Sequence, residues 1–249
     1  MIVGIDVGGT NTDIVLLDAE FEHVATLKTA SISDLAKVIE ELCPKAEAIG
    51  VGAAVWIKRG EIVRAPNIRN VPKMKFSKPF VLENDANCFA YYAARVVGRK
   101  NVYGVTVGTG VGSGIVVDGR IYRGSGLAGE LGHVYVGGAR KCSCGERGHV
   151  EAYFGGRALK RARELLKSGK IYRTRGFEVF CRALAAAIMV LNPEAVVVGG
   201  RIGGRLDAEV LESKVMEYVA EELRPEFYTL KDDLAVAKGA AMLARDAIF

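Results

Sequence analysis

The stretch VGIDVGGTNTDIVLLD at residues 3–18 returns without a gap as YGVTVGTGVGSGIVVD at 103–118. Gly4 aligns with Gly104, Val7 with Val107, Gly8 with Gly108 and Asp18 with Asp118, and apolar residues fall on apolar residues at 3, 5, 15, 16 and 17. Each copy has the pattern of a β-hairpin: a buried strand, a glycine-rich reversal and a second β-rich strand. A chain that writes this hairpin twice is constrained to a fold with two related halves.

The segments after the two hairpins are also similar. After the first come a third strand in HVATLKTA, an amphipathic helix in SDLAKVIEELC with Ser33 as cap candidate, and a buried strand in AIGVGAAVWI. A loop, RAPNIRNVPKMKFSKP, leads to the strand FVLEN and the helix ANCFAYYAARVV. The second half inserts a Cys/His loop, then gives helices near 150–168 and 177–191, the strand AVVVGG, a helix near 207–223, a strand around 227–236 and a last helix at 238–248. Three strands followed by alternating helix and strand, twice over, predict an α/β protein with a helix-covered mixed sheet in each of two lobes and a cleft between them. The expected lobes are 1–97, with the C-terminal helix 238–249 packing back on it, and 98–237, which carries the Cys/His loop.

Composition excludes several classes. Of the 249 residues half are hydrophobic, a quarter charged and only 6 proline, as in a folded rather than a disordered chain. The net charge of +5 is spread among acids. The one dense basic run, GRALKRARELLKSGK, has helical spacing and reads as a solvated face, so no nucleic-acid partner is expected. No apolar run approaches the roughly 18 residues of a membrane span, and MIVGIDVGGT meets charge and glycine too early for a signal peptide. A cytoplasmic protein with no membrane partner is expected. The 5 cysteines are odd in number, which argues against a disulfide framework in a reducing compartment. Glutamine is absent and asparagine scarce, a composition that fits a thermophile.

The glycine turns are the first candidate site. In DVGGTN, Gly8 and Gly9 would let backbone N–H groups approach a phosphate, Thr10 and Asn11 add side-chain donors, and Asp6 stands where a carboxylate could hold Mg²⁺. GTGVGSG repeats the device with Thr109. Tight turns alone would also explain these glycines. Neither stretch is a P-loop, since no GK[ST] motif is present, and neither has dinucleotide-fingerprint spacing. Gly199 and Gly200 in VVVGGR mark a third place where backbone could approach a ligand. In LENDAN, Asn84 and Asp85 lie at a strand-to-helix junction, where side chains reach ligands in open α/β sheets. There Asp85 is either a helix cap or a base that accepts a proton from an attacking alcohol. Finally, the window 132–151 holds His133, His149, Cys142 and Cys144, although the whole chain has only 3 histidines. A redox pair, a structural metal site and part of an active site all fit that concentration.

Taken together, DVGGTN, ENDAN, GTGVGSGIV, GLAGELGH and CSCGERGHVE, in this order, resemble the ROK family of sugar kinases and repressors over nearly the full chain. The resemblance implies the duplicated actin-like, ribonuclease H-like ATPase fold. It implies a kinase rather than a repressor, because no helix-turn-helix precedes MIVGID. By motif position it implies Asp85 as catalytic base toward a sugar 6-hydroxyl. Asn67, Asn84, Glu130, His133 and Glu151 would surround the sugar, and Gly8, Gly9, Thr10, Asn11, Thr109 and Gly110 would hold the phosphates of ATP with Mg²⁺. The family's C-x-C-G-x-x-G-C-x-E segment binds structural zinc through three cysteines and an upstream histidine. Here His149 replaces the third cysteine, so the implied ligands are His133, Cys142, Cys144 and His149. A homodimer is the family expectation, although only SGKIYRTRG joins the two helices where further helical segments are usual. The expected activity is ATP-dependent phosphorylation of glucose or a close relative. N-acetylglucosamine, N-acetylmannosamine and fructose kinases are enzyme alternatives. A sugar-sensing binding protein is the non-enzyme alternative, against which Asp6 and Asp85 argue.

Overall fold

A computed structural model describes residues 1–249. The first hairpin pairs β1 (Ile2–Val7) with β2 (Asn11–Leu17) antiparallel, Ile2 opposite Leu17 and Val7 opposite Thr12. β3 (Phe21–Lys28) extends the edge beside β2. The helix α1 (Leu35–Leu42) is capped by Asp34 rather than Ser33, because the Asp34 carboxylate accepts from the Ala36 and Lys37 N–H groups. β4 (Ala48–Ala53) runs parallel to β1. The stretch read as one strand, AIGVGAAVWI, ends there, and β5 (Trp56–Lys58) turns back into β6 (Glu61–Arg64). Arg59 and Gly60 make that turn with φ of 54° and 80°. Two consecutive positive φ values are the demand of a tight hairpin, usually met by Asn-Gly; an arginine in the first position hides it in the sequence. β7 (Phe80–Asn84) lies parallel to β4 and leads into α2 (Asp85–Val97).

The second copy is built the same way. β8 (Val102–Val107) and β9 (Val111–Val117) form its hairpin, and β10 (Arg120–Tyr122) extends it. The chain continues through α3 (Ala162–Lys167), α4 (Arg175–Leu191), β11 (Ala195–Gly199), α5 (Gly200–Gly203), α6 (Ala208–Met216), β12 (Glu226–Thr229) and α7 (Ala235–Ile248). The two five-stranded sheets, β3-β2-β1-β4-β7 and β10-β9-β8-β11-β12, have the same order and the same strand directions. That is the duplicated α/β architecture of actin-like ATPases.

Several boundaries differ from the sequence reading. Residues 150–168 are not one helix: a 3₁₀ turn at Val150–Ala152 is followed by Gly155 and Gly156, and α3 starts only after Arg161 at φ 62°. The helix near 207–223 stops at Met216, the strand near 227–236 stops at Thr229, and the last helix begins at Ala235.

The chain forms two compact units, Met1–Tyr92 with Arg123–Leu127 and Leu234–Phe249, and Ala93–Tyr122 with Ala128–Asp233. In the first, one face of the sheet buries Ile5, Ile14, Leu35 and Ile39. The other face accepts α7 because the strands carry glycine there: a Cβ on Gly4 would lie 2.0 Å from the Ala237 carbonyl oxygen, and one on Gly50 would lie 1.9 Å from that of Ala240. The second unit centres on Phe154, Phe177, Phe180 and Leu184, with Phe154 and Phe180 stacked at 4.7 Å. Each fully buried side chain of this size contributes roughly 1.5–3 kcal/mol of apolar transfer, which sets both sheets rigidly behind their loops. No helix is long and apolar enough to cross a membrane.

Candidate active site

In the first unit the strand register fixes the site. Val7, Ala53 and Asn84 lie in one row across β1, β4 and β7. Gly8 and Asp85, each the next residue, therefore leave the same carboxyl edge of the parallel strands, two strand spacings or about 10 Å apart. This edge is where open α/β sheets bind ligands.

The turn after β1 is held from behind. The Gly8 N–H donates to Asn11 O at 3.0 Å, Thr29 N–H donates to Thr10 O at 3.1 Å, and the Thr29 hydroxyl donates to Gly8 O at 2.8 Å. With the Gly8, Thr10 and Asn11 carbonyls engaged, the exposed turn keeps the Gly9 and Thr10 N–H groups without an intrachain acceptor. Gly9 has no positive φ; it is glycine because a Cβ would lie 2.3 Å from the carbonyl oxygen of Asn67. The same contact brings the Asn67 loop, anchored by buried Ile68, against the turn. Lys28 Nζ donates to Asn11 Oδ1 at 3.0 Å, which adds a cation that the sequence reading missed.

At the start of α2 the cap is Asn84. Its Oδ1 accepts from the Ala86 N–H at 2.9 Å and the Asn87 N–H at 3.3 Å, while Nδ2 donates to Val55 O at 3.0 Å. Asn84 is thus held by architecture on both ends of its amide. Asp85 is relieved of capping: its carboxylate meets just the adjacent backbone N–H groups, that of Ala86 at 3.0 Å and its own. It keeps part of its surface accessible, yet the atoms packed around it exclude enough water that burial raises its carboxyl above the ordinary 3.8. Asp6 and Asp85 both act electrostatically on buried Cys88, whose thiol burial holds well above its usual value. Behind them Glu83, 5% exposed, accepts from Asn84 N–H at 2.8 Å, Asn87 Nδ2 at 2.9 Å and Arg123 at 2.6 Å.

The second unit repeats the pinned turn. Gly108 N–H donates to Gly110 O at 3.0 Å, Gly156 N–H to Gly108 O at 2.8 Å and Arg157 N–H to Thr109 O at 3.1 Å, again leaving two consecutive N–H groups, those of Thr109 and Gly110, without an intrachain acceptor. Gly200, at φ 82°, packs against this turn's first strand, where a Cβ would lie 2.8 Å from Val107 O, and Gly199 precedes it at the end of β11.

The GLAGELGH loop docks on β9. A Cβ on Gly132 would sit 2.0 Å from Val111 O, and Gly129 takes φ 92° beside Ser113. This sets Glu130 and His133 together, with His133 Nε2 3.8 Å from Glu130 Oε2. The other ring nitrogen, Nδ1, faces Cys142 Sγ at 3.4 Å, and His149 Nδ1 faces Cys144 Sγ at 3.3 Å. The four candidate ligand atoms all lie within 4.8 Å of one another. Zn–S bonds of about 2.3 Å and Zn–N bonds of about 2.0–2.1 Å in a tetrahedron put S and N about 3.5 Å apart, so the donor set fits zinc with small adjustments. Two thiolates would also balance its charge. Burial pushes the Cys142 thiol up to about 11, so a metal would have to displace its proton. Glu151, expected at the sugar, is 5% exposed and has partners inside the protein: Val111 N–H on Oε2 at 3.1 Å and the Ser143 hydroxyl on Oε1 at 2.5 Å.

The family model described as the ROK family matches residues 2–247. The chain belongs to the ROK family. A ROK glucokinase of Streptomyces griseus, solved with glucose and AMPPNP, is 27% identical, with a TM-score of 0.74 over 98% of this chain and 99% of that one. The glucokinase of Pyrobaculum calidifontis is 29% identical over 97% of this chain and 94% of its own length. The glucokinase of Streptomyces coelicolor is 33% identical over 65% of this chain, and the match spans 58% of that protein. N-acetyl-D-glucosamine kinases and a xylose repressor match as well, so membership of the ROK family does not by itself choose between catalysis and sensing.

Of the candidate residues, the first unit carries Asp6, Gly8 to Asn11, Asn67, Asn84 and Asp85; the second carries Thr109, Gly110, Glu130, His133, the Cys/His set, Glu151, Gly199 and Gly200. The sequence reading missed Lys28, Thr29, Ser143, Gly156 and Arg157. Only the glycine pair of FGGR gave a local signal.

Proposed function

We propose that this ROK protein is an ATP-dependent sugar kinase that phosphorylates a hexose, glucose or a close relative, at its 6-hydroxyl. Asp85 carries the reading. It stands at the carboxyl edge of β7, is released from capping by Asn84, remains partly accessible and has its pKa raised by burial, all of which suit a general base that must accept a proton from an alcohol. Two pinned turns with paired N–H donors, at Gly9–Thr10 and Thr109–Gly110, suit the phosphates of a nucleotide, assisted by Asn11 and Lys28. Gly199 and Gly200 would let backbone approach the nucleoside.

Asp6 is the residue proposed to hold Mg²⁺, which would screen phosphate charge. In the reaction the sugar hydroxyl oxygen forms a bond to the γ-phosphorus, the bond to the bridging oxygen of ADP breaks, and the hydroxyl proton passes to Asp85. Asn67, the remaining Asn84 N–H, Glu130 and His133 offer the donors and acceptors that sugar hydroxyls require. Glu151 belongs to the expected sugar set as well, although its internal partners leave it fewer lone pairs to offer. His133, Cys142, Cys144 and His149 would hold a structural zinc that orders the glycine-rich loop carrying them.

A coupled assay of ADP release with a panel of hexoses and N-acetylated aminosugars tests the proposal, which fails if no sugar gives ADP above background. Preference for an N-acetylated sugar would favour the N-acetyl-D-glucosamine kinase reading. Sugar binding without turnover would favour a sensor.

A further inference from the structure

Glu151 joins the Cys/His loop to the second glycine turn within one unit. Its Oε2 accepts from the Val111 N–H at 3.1 Å and presses on the turn so closely that a Cβ on Gly110 would lie 1.9 Å from it. Its Oε1 accepts from the hydroxyl of Ser143, the residue between Cys142 and Cys144, with Cys142 Sγ 3.8 Å away. A carboxyl group only 5% exposed needs a donor on each oxygen, because a buried acceptor left without any partner loses its hydration uncompensated. Of the loop's two donors to Oε1 the Ser143 hydroxyl is the nearer and stronger, since a thiol at 3.8 Å is only a weak donor. Flanked by two candidate ligands, that hydroxyl is aimed by whatever fixes the cysteines.

We propose that Ser143 and Glu151 are positioning residues through which the metal loop sets nucleotide affinity, by holding the Val111 N–H and with it the turn at 108–110. This deepens the proposed function and rests on its reading of that turn as a phosphate site.

The test is calorimetric titration of ADP with magnesium, without sugar, on wild type, Ser143→Ala and Ser143→Thr, each with zinc content measured. The expected result is that Ser143→Ala at full zinc binds ADP about tenfold more weakly, the loss of one hydrogen bond to a charged acceptor. In turnover, KM for ATP should rise by a similar factor while KM for glucose stays within about twofold. Ser143→Thr, which keeps the hydroxyl, restores ADP binding. Zinc-stripped wild type resembles Ser143→Ala, and stripping the variant adds little further loss, as a shared route requires. If stripping unfolds the loop, the Ser143→Ala result at full zinc decides alone. Unchanged ADP affinity in Ser143→Ala, or a weakened glucose affinity in its place, overturns the clamp alone. Wild type that fails to bind ADP overturns the nucleotide reading and the clamp together.

Discussion

Replacing Asp85 by asparagine separates chemistry from architecture. The helix start is held by Asn84 through the Ala86 and Asn87 N–H groups, so the cap survives in Asp85→Asn, and the new amide oxygen can still accept the Ala86 N–H. Loss of a general base lowers kcat by roughly 10²–10⁴, about 3–5 kcal/mol on the barrier. Stability moves the other way. Burial raises the Asp85 pKa above 3.8, so ionisation is disfavoured in the folded state. That cost is absent below the unfolded pKa, grows as pH rises through the window up to the folded value, and is fully present above it. Asp85→Asn removes it and is therefore no less stable than wild type near neutral pH. Asn84→Ala is the counter-case: it loses both cap bonds and strands the carbonyl of fully buried Val55. About 1 kcal/mol for the cap and about 1–2 for the carbonyl give roughly 2–3 kcal/mol, or about 5–10 °C in Tm. ADP-coupled turnover at saturating sugar and thermal melts in matched buffers measure both effects. A kcat for Asp85→Asn within about tenfold of wild type, or a drop in Tm as large as that of Asn84→Ala, refutes the assignment of Asp85 as base.

Other perturbations probe the surrounding parts. Gly9→Ala puts a Cβ 2.3 Å from a backbone oxygen, so the first turn must shift; nucleotide KM should rise at least about tenfold, with a stability loss of about 1–3 kcal/mol seen in denaturant titration. Arg123→Ala leaves the nearly buried Glu83 without its cation and, because the arginine is half exposed, should lower stability by about 1–2 kcal/mol, whereas a double variant with Glu83→Gln should recover part of the loss. Elemental analysis of chelator-free protein should give about one zinc per chain, and chelation should lower Tm; fully active protein with substoichiometric zinc would remove the metal from the account.

Parts of this protein were legible because they are local. The hairpins, the paired glycines and the strand-to-helix junction at LEND are written in consecutive residues, and their repeat a hundred residues on announced a duplicated fold. The cap choices were not legible. Ser33 and Asp34, like Asn84 and Asp85, are neighbours of equal capping propensity, and which one meets the N–H groups depends on where the preceding strand or loop delivers the chain. The β5–β6 hairpin stayed hidden because its turn uses Arg59 where asparagine is usual.

The sequence by itself determined two copies of one α/β unit, each with a glycine turn after its first strand, and a cluster of soft ligands in a loop. Only the tertiary structure decided which side chains are spent on architecture. It gave Asn84 to the cap, turned Glu151 inward to Val111 and Ser143, and set Lys28 beside Asn11. The physical reason is that a carboxylate or an amide finds its partners by proximity across the fold. Residues 40 or 29 positions apart, such as Glu151 with Val111 or Asn84 with Val55, meet only when strand register and close glycine contacts bring them there.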